Sequence, residues 1–467
     1  MFFRQYYLGC LSHASYLIGD AASGLAVVVD PQRDVAEYLA DAEANGLTIV
    51  KVLETHFHAD FLSGHLELAA RTGAAIVYGA AAAGRAEFPI ETYGNGELIS
   101  LGSDAHGLQL EIRETPGHTP ESISIVIYPQ GANGRPYGVL TGDTLFIGDV
   151  GRPDLLASVG VTAQELGRQL YHSLHERLMT LPDETKVFPA HGAGSACGKN
   201  LSTETMSTIG EQRRTNYALA PMTEDQFVEA VTQGQSVAPL YFSFAANRNR
   251  ERHDLLEAAT LPTLTMSEAL AHQRDGAVVI DGREDMAFAA GHLRGSINVG
   301  LGGRFAEYSG EVMAPKTPIV LITPPGHEAE AQLRLARIGF DNVIGALEHP
   351  VDTFLEHPEL IEPLSRLSVD ALDRRIATVP GLVLIDVRNP GEVELGTIAG
   401  ARTIALPSLI NELEALDPTA PTVVFCAGGY RSAIAASLLR SRGFTDVSDL
   451  LGGYSAWATA HHNEENH

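Results

Sequence analysis

The chain has 467 residues, 45% hydrophobic and 19% charged, a globular balance that excludes a disordered chain and, at roughly 100–200 residues per domain, suggests about three domains. Lys plus Arg number 32 against 58 Asp plus Glu, a net charge of −26; such a surface repels nucleic acid and anionic membranes, so neither is an expected partner, and an anionic substrate needs a local cation. Three dispersed cysteines, Cys10, Cys197 and Cys426, argue against a disulfide framework and for a reducing cytoplasm. The apolar N-terminal stretch is broken by Arg4, Gln5, Ser12 and His13, and no apolar run of about 18 residues occurs, so neither a signal peptide nor a membrane span is expected.

In chain order, ASYLIGD, GLAVVVDP and IVKVLETH read as strands bounded by Gly, Asp and Pro. DVAEYLADAEANG and LELAARTG read as helices that stop at glycine. SISIVIYP and YGVLTGDT read as further strands, residues 200–240 carry a helical pattern, and YFSFAANRNRERHDLL reads as a connector. From residue 262 onward the sequence repeats itself. VVIDGREDMAFAAGHLRGSINV lines up with LVLIDVRNPGEVELGTIAGARTIAL, and IVLITPPGHEAEAQLRLARIGF with VVFCAGGYRSAIAASLLRSRGF. Each copy alternates strand, loop and helix, the pattern of a largely parallel α/β sheet. The expected organisation is α/β multidomain: a large domain over 1–240, a linker over 241–261, and related small domains over 262–358 and 359–467.

The large domain carries side chains suited to a metal in THFHAD (His56, His58, Asp60), TPGHT (His118), LTGDT (Asp143) and FPAHG (His191). Each piece follows an apolar β-like run, which puts it at a strand end, where α/β folds place ligand sites. A single loop histidine is ordinarily solvated or hydrogen-bonded; this many in one strand-then-loop setting point to a metal centre. The residue after Asp60, where a two-metal site would want another imidazole, is Phe61. A benzyl group offers no lone pair, so its half of a second site is disabled. His65 reads as a packing or capping residue at a helix start, and His172 and His175 as members of an exposed helix face.

These pieces, in this order, resemble the metallo-β-lactamase superfamily over residues 1–240, and in particular its glyoxalase II-like and persulfide dioxygenase branches. The resemblance implies an αββα sandwich, two sheets face to face with helices outside. It also implies one Fe(II) per chain held by His56, His118 and Asp143, with His58, Asp60 and His191 hydrogen-bonding the ligand imidazoles or ligating directly. Two imidazoles and a carboxylate on one face leave room for a substrate and O₂ together, whereas zinc, the alternative, needs only one activated water. GRPD, with Arg152, resembles a segment of the dioxygenase branch; its guanidinium would pair with an anionic persulfide or a carboxylate, or form a salt bridge with Asp149 or Asp154. The cysteine often found two residues before that arginine is Val150 here. Cys197, in HGAGSACGK, would line the pocket as a sulfur relay or sit buried and inert.

Cys426 opens CAGGYRS between the strand VVF and the helix AIAASLLRSRGF. The glycines let the N–H groups of Ala427, Gly428, Gly429, Tyr430 and Ser432 turn inward as a nest. The helix start adds partial positive charge and Arg431 a full one, all favouring a thiolate or persulfide on Cys426. This loop, IDVRNPGEVELGTIAGARTIAL, and LLGGYSAW with Trp457 resemble the rhodanese family. In the first repeat, the offset of 104 that aligns Gly339 with Gly443 puts Ile322 at the Cys426 position. That copy therefore reads as non-catalytic, kept for packing, orientation or substrate gating.

Together the resemblances imply a dioxygenase that converts a low-molecular-weight thiol persulfide and O₂ to sulfite and thiol, joined to a sulfurtransferase that interconverts persulfide and sulfite with thiosulfate. A dizinc glyoxalase II-like thioesterase with an appended sulfurtransferase, and a non-catalytic sulfur carrier, are the alternatives. A cytoplasmic homo-oligomer is expected.

Overall fold

A computed structural model of the chain describes residues 1–102, 107–131, 134–155, 160–199, 201–256 and 260–464. They fall into two compact units, Met1–Gln235 with Phe242–Glu257, and Ser236–Tyr241 with Ala258–His467. Among the described residues, no helix is long and apolar enough to cross a membrane.

In the first unit, β1 to β6 (Phe2–Leu8, His13–Asp20, Leu25–Val29, Thr48–Leu53, Ala75–Gly79, Glu91–Tyr93) form one sheet in chain order. β7 to β12 (Leu98–Leu101, Leu108–Glu114, Ile123–Tyr128, Gly138–Gly142, Lys186–Pro189, Ser207–Thr208) form a second. Successive side chains alternate between faces. Tyr16, Ile18, Val27 and Val29 therefore meet Leu110, Ile112, Ile125, Ile127 and Leu140 of the second sheet in one core. Their neighbours Leu17, Ala26 and Val28 pack outward against Tyr38, Ala42 and Leu68, from helices Ala36–Ala44 and His65–Thr72. Leu170, Leu174, Ile209, Phe227 and Val231 cover the second sheet in the same way. This is the αββα sandwich. A strand such as ISIVIY, buried at every position, needs exactly such cover on both of its faces.

The loops after β4, β8, β10 and β11 bring His56, His58, Asp60, His118, Asp143 and His191 together. Gly151 is what lets them close. A Cβ there would lie 1.8 Å from the Asp143 carbonyl oxygen, so Gly151→Ala is expected to cost about 3 kcal/mol, read as a lower urea midpoint, and to weaken metal binding in the folded chain.

The stretch expected as a linker, 241–261, divides differently. Helix Phe242–Arg248 and the residues up to Glu257 belong to the first unit, anchored by buried Phe242 and Ala245. The apolar spacing of FSFA supplies one buried helix face, and Arg33, itself buried, donates to the Asp254 carbonyl at 3.1 Å.

The second unit contains the repeat. Strands β13 (Thr263–Leu264), β14 (Val278–Asp281), β15 (His292–Leu293), β16 (Ile297–Asn298), β17 (Ile319–Ile322) and β18 (Val343–Leu347) make up the first copy. A short strand, β19 (Ile361–Glu362), pairs antiparallel with β15. The second copy has β20 (Ser365–Leu367), β21 (Val383–Asp386), β22 (Arg402–Thr403), β23 (Thr422–Phe425) and β24 (Val447–Leu450). The orders β13-β18-β17-β14-β16 and β20-β24-β23-β21-β22 correspond strand for strand, and every pairing within them is parallel. Register corrects one expectation. Asp281 pairs with Ile322 and Asp386 with Phe425, so Thr323, not Ile322, stands where Cys426 stands. The second copy has one more residue between that loop and the aligned glycine, which displaced the sequence alignment.

Candidate functional site

The metal loop is shaped from behind. Asp30, at the end of β3, has φ of +48°, a turned backbone that sends its carboxylate back to the loop. It accepts from Thr55 N at 2.7 Å and Thr55 Oγ1 at 2.9 Å, and lies 3.0 Å from His58 Nε2. Thr55 Oγ1, its own proton given to Asp30, accepts from His56 Nδ1 at 3.0 Å. His118 Nδ1 donates to the Arg152 carbonyl at 2.9 Å and His191 Nδ1 to the Ser12 carbonyl at 3.2 Å. In all three rings the anchored nitrogen is Nδ1, so the Nε2 lone pair is turned into a shared space.

In that space Asp143 Oδ2 lies 3.4 Å from His118 Nε2 and 4.0 Å from His56 Nε2, while Oδ1 lies 3.4 Å from His191 Nε2. His56 Nε2, His191 Nε2 and both Asp143 oxygens are buried with no hydrogen-bond partner. Orphaning so many polar atoms is costly unless a cation gathers them, so the residues fit a metal ion. The ligand atoms of His56, His118 and Asp143 lie within 4.8 Å of one another, as do those of His58, Asp60 and His191.

Electrostatics separates the loop's two histidines. Burial, then the neighbouring imidazoles, hold His56 well below the usual histidine value, neutral and able to ligate. Burial alone would depress His58 too, but Asp30 and Glu54 outweigh it and hold this ring well above the usual value. A protonated imidazole has no lone pair to give. Glu54, pushed up to about 7 by burial, also receives Ser63 Oγ at 2.6 Å. Phe61 is buried, its ring centre 3.9 Å from that of His13 and 4.3 Å from that of His58. Sequence reasoning missed Ser12, His13, Asp30 and Glu54. Only Asp30, an acid ending an apolar strand, carried a signal that could have been read.

Arg152 and Cys197 are near the site but engaged. The Arg152 fork closes on Asp154 through two bonds of 2.7 Å, and its third nitrogen donates to the Ala196 carbonyl at 3.1 Å. Of the two expected roles, the salt bridge is the one the geometry takes; the residue reaches the site through its backbone, which orients His118. Burial, then the charges of Asp60 and Asp143, push the Cys197 thiol well above the usual value. It sits with Asp143 and His191 as a neutral thiol, its sulfur within 4.8 Å of their ligand atoms. His65 is fully buried, and His172 is exposed.

In the second unit, Cys426 follows β23 and is 1% exposed. Gly429, with φ of +114°, turns its N–H onto the sulfur at 3.1 Å. Ser432 Oγ lies 3.6 Å from the sulfur and donates to the Gly429 carbonyl at 3.0 Å. The following segment GGYS closes the loop from below: Tyr454 N donates to Cys426 O at 2.7 Å and Ser455 N to Ala427 O at 3.1 Å. A Cβ on Gly453 would lie 2.3 Å from the Cys426 carbonyl oxygen, which is why glycine stands there. Arg431 forms a two-point pair with Glu392, 2.7 Å at each contact.

The metallo-beta-lactamase superfamily description matches residues 8–191, and the rhodanese-like domain description matches 265–349 and again 368–460. The mitochondrial persulfide dioxygenase ETHE1 of Bos taurus is 30% identical over 237 residues, 50% of this chain and 82% of its own. The chain belongs to the metallo-β-lactamase superfamily and carries two rhodanese-like domains. A cytoplasmic hydroxyacylglutathione hydrolase of Arabidopsis thaliana is 34% identical over 189 residues, 40% of this chain and 67% of its own. A crystal structure of a metallo-beta-lactamase from Staphylococcus aureus matches with a TM-score of 0.67 at 32% identity, covering 74% of this chain and 99% of that one.

The two rhodanese-like domains share scaffolding and differ at the loop. In each, the aspartate that ends the second strand holds an arginine two residues on through a closed fork with a shortest contact of 2.6 Å, Asp281–Arg283 and Asp386–Arg388; the motif is structural. Counting on from Thr323, the residue in Arg431's place is Glu328, whose Oε1 takes the Gly326 N–H at 3.2 Å. The equivalent Gly429 N–H points at sulfur. The first rhodanese-like loop thus carries an acid where its sister carries Arg431, and that acid takes the Gly326 N–H. In a Cys426→Ser chain, Thr323→Cys is expected to restore no measurable thiosulfate cyanolysis, because Glu328 repels thiosulfate and a nearby thiolate alike.

Proposed function

We propose that the first unit is a single-iron persulfide dioxygenase and that the second rhodanese-like domain is a sulfurtransferase working on the same sulfur species. The observation that carries this reading is the pairing of a ligand-ready His56, His118 and Asp143 with Phe61 in place of a further imidazole. The reaction balances as persulfide, O₂ and water giving thiol, sulfite and two protons. Fe(II), when bound, supplies the open positions and redox chemistry that let an anionic sulfur and O₂ combine. The chain's residues supply the rest. Thr55 and the Arg152 carbonyl hold the two imidazoles in one tautomer, and the rings of Phe61 and His13 keep water from the loop's flank.

At Cys426 the thiolate attacks the outer sulfur of thiosulfate. The S–S bond breaks, sulfite leaves with the electron pair, and Cys426 keeps the sulfur as a persulfide under the Gly429 N–H. Run backward, the same step makes thiosulfate from the dioxygenase's product. One chain carrying both activities raises the effective concentration of a shared intermediate to about the mM range where the geometry permits. Three cysteines dispersed along the chain, Cys10, Cys197 and Cys426, suit the cytoplasm, and self-association completes the proposal.

The test is anaerobic purification, metal analysis and O₂ consumption on several thiol persulfides. The expected result is one iron per chain with sulfite or thiosulfate as product. A second reading, a zinc thioesterase, draws on the gathering of His58, Asp60 and His191 into another donor set. Two zinc ions per chain, thioester hydrolysis and no O₂ uptake would select it.

A further inference from the structure

We propose that Asn249 is a positioning residue for the metal loop, supplied from beyond the stretch that matches the superfamily, residues 8–191. The inference rests on the reading of residues 54–65 as that loop. Asn249 closes helix Phe242–Arg248, its N–H bonded to the Ala245 carbonyl at 2.9 Å, and is 1% exposed. Its Nδ2 donates to the carbonyls of His58 and Phe61, both at 2.8 Å, and its Oδ1 accepts from Ser63 N at 2.9 Å. Both amide hydrogens and the amide oxygen are thereby spent on one loop.

The need is physical. Between β4, which ends at Leu53, and the helix that starts at His65, the chain has no regular ladder, and its buried carbonyls must find donors elsewhere. A single primary amide reaches three of these backbone groups across the turn that sets His58, Asp60 and Phe61 beside His56. No other residue substitutes simply. Aspartate keeps the acceptor and loses both donors; glutamine is a methylene longer. The adjoining residues hold the same segment. The Arg250 guanidinium lies 4.8 Å over the Phe57 ring, the Arg250 carbonyl accepts from Glu87 N at 2.8 Å, and Leu256 N donates to Glu67 at 3.1 Å. Asn249 contacts no candidate ligand atom; it acts through the backbone that carries them.

The test compares the full-length chain with Asn249→Ala and Asn249→Asp, using Co(II) alone as the probe. Chelator competition gives affinity per folded chain, the Co(II) visible bands report ligand geometry, and circular dichroism gives the folded fraction. The expected result is about a ten-fold loss of affinity with shifted bands in variants that remain folded. Folded variants that bind Co(II) with wild-type affinity and bands would overturn the proposal. A wild-type chain that binds no Co(II) would instead remove the metal reading itself. Should neither variant fold, hydrogen exchange at the Ser63 amide of the wild-type chain decides. Protection equal to that of β4 supports the clamp, and exchange at the rate of an open loop overturns it.

Discussion

A His118→Ala chain is expected to lose O₂ uptake on a low-molecular-weight persulfide while keeping thiosulfate cyanolysis. His118 presents Nε2 to Asp143 at 3.4 Å, with Nδ1 tied to a backbone carbonyl, so alanine removes one of the three donors in the set formed by His56, His118 and Asp143. Losing a metal ligand forfeits several kcal/mol of transition-state stabilisation; about 4 kcal/mol corresponds to roughly 10³-fold in rate. An oxygen electrode and metal analysis on the same preparation check it. Full O₂ uptake in the variant would take His118 out of the ligand set and the proposed dioxygenase with it.

Cys426→Ser is expected to give the reverse pattern: sulfur transfer lost by at least about 10³-fold, since it removes the nucleophile itself, with O₂ uptake unchanged. Serine preserves the size of the side chain under the Gly429 N–H, but an alkoxide is not formed at neutral pH and an oxygen cannot carry a sulfane sulfur. Cyanolysis of thiosulfate reads the first effect and persulfide-dependent O₂ uptake the second. If transfer survives, another thiol carries the sulfur, and Cys197 or Cys10 becomes the object of study. If neither activity exists in the wild-type chain, a sulfur carrier with a structural metal is what remains.

Much of this was legible because the chemistry sits where secondary structure changes. His56, His118, Asp143, His191 and Cys426 each follow an apolar strand, and a strand that stops at a histidine or cysteine shows this in its residues alone. The repeat was equally plain, since a parallel strand–helix unit leaves the same apolar punctuation each time. The anchoring of those side chains was not. Ser12, Asp30 and Arg152 reach the imidazoles through main-chain carbonyls or a positive-φ turn, and backbone carbonyls have no letter in a sequence.

Sequence by itself determined the kinds of atom available: imidazoles and carboxylates in one domain, a thiol in a glycine loop in another, and no lone pair at Phe61. Tertiary structure decided which of those atoms are free to act. It spent the Arg152 fork on Asp154 and set His58 between two acids. It turned Glu328 onto the amide that in the sister loop serves sulfur, and drew an asparagine from an apparent linker to brace the metal loop. The reason is that a side chain's chemistry depends on the partner it has already satisfied, and partners here lie as far as 221 residues apart.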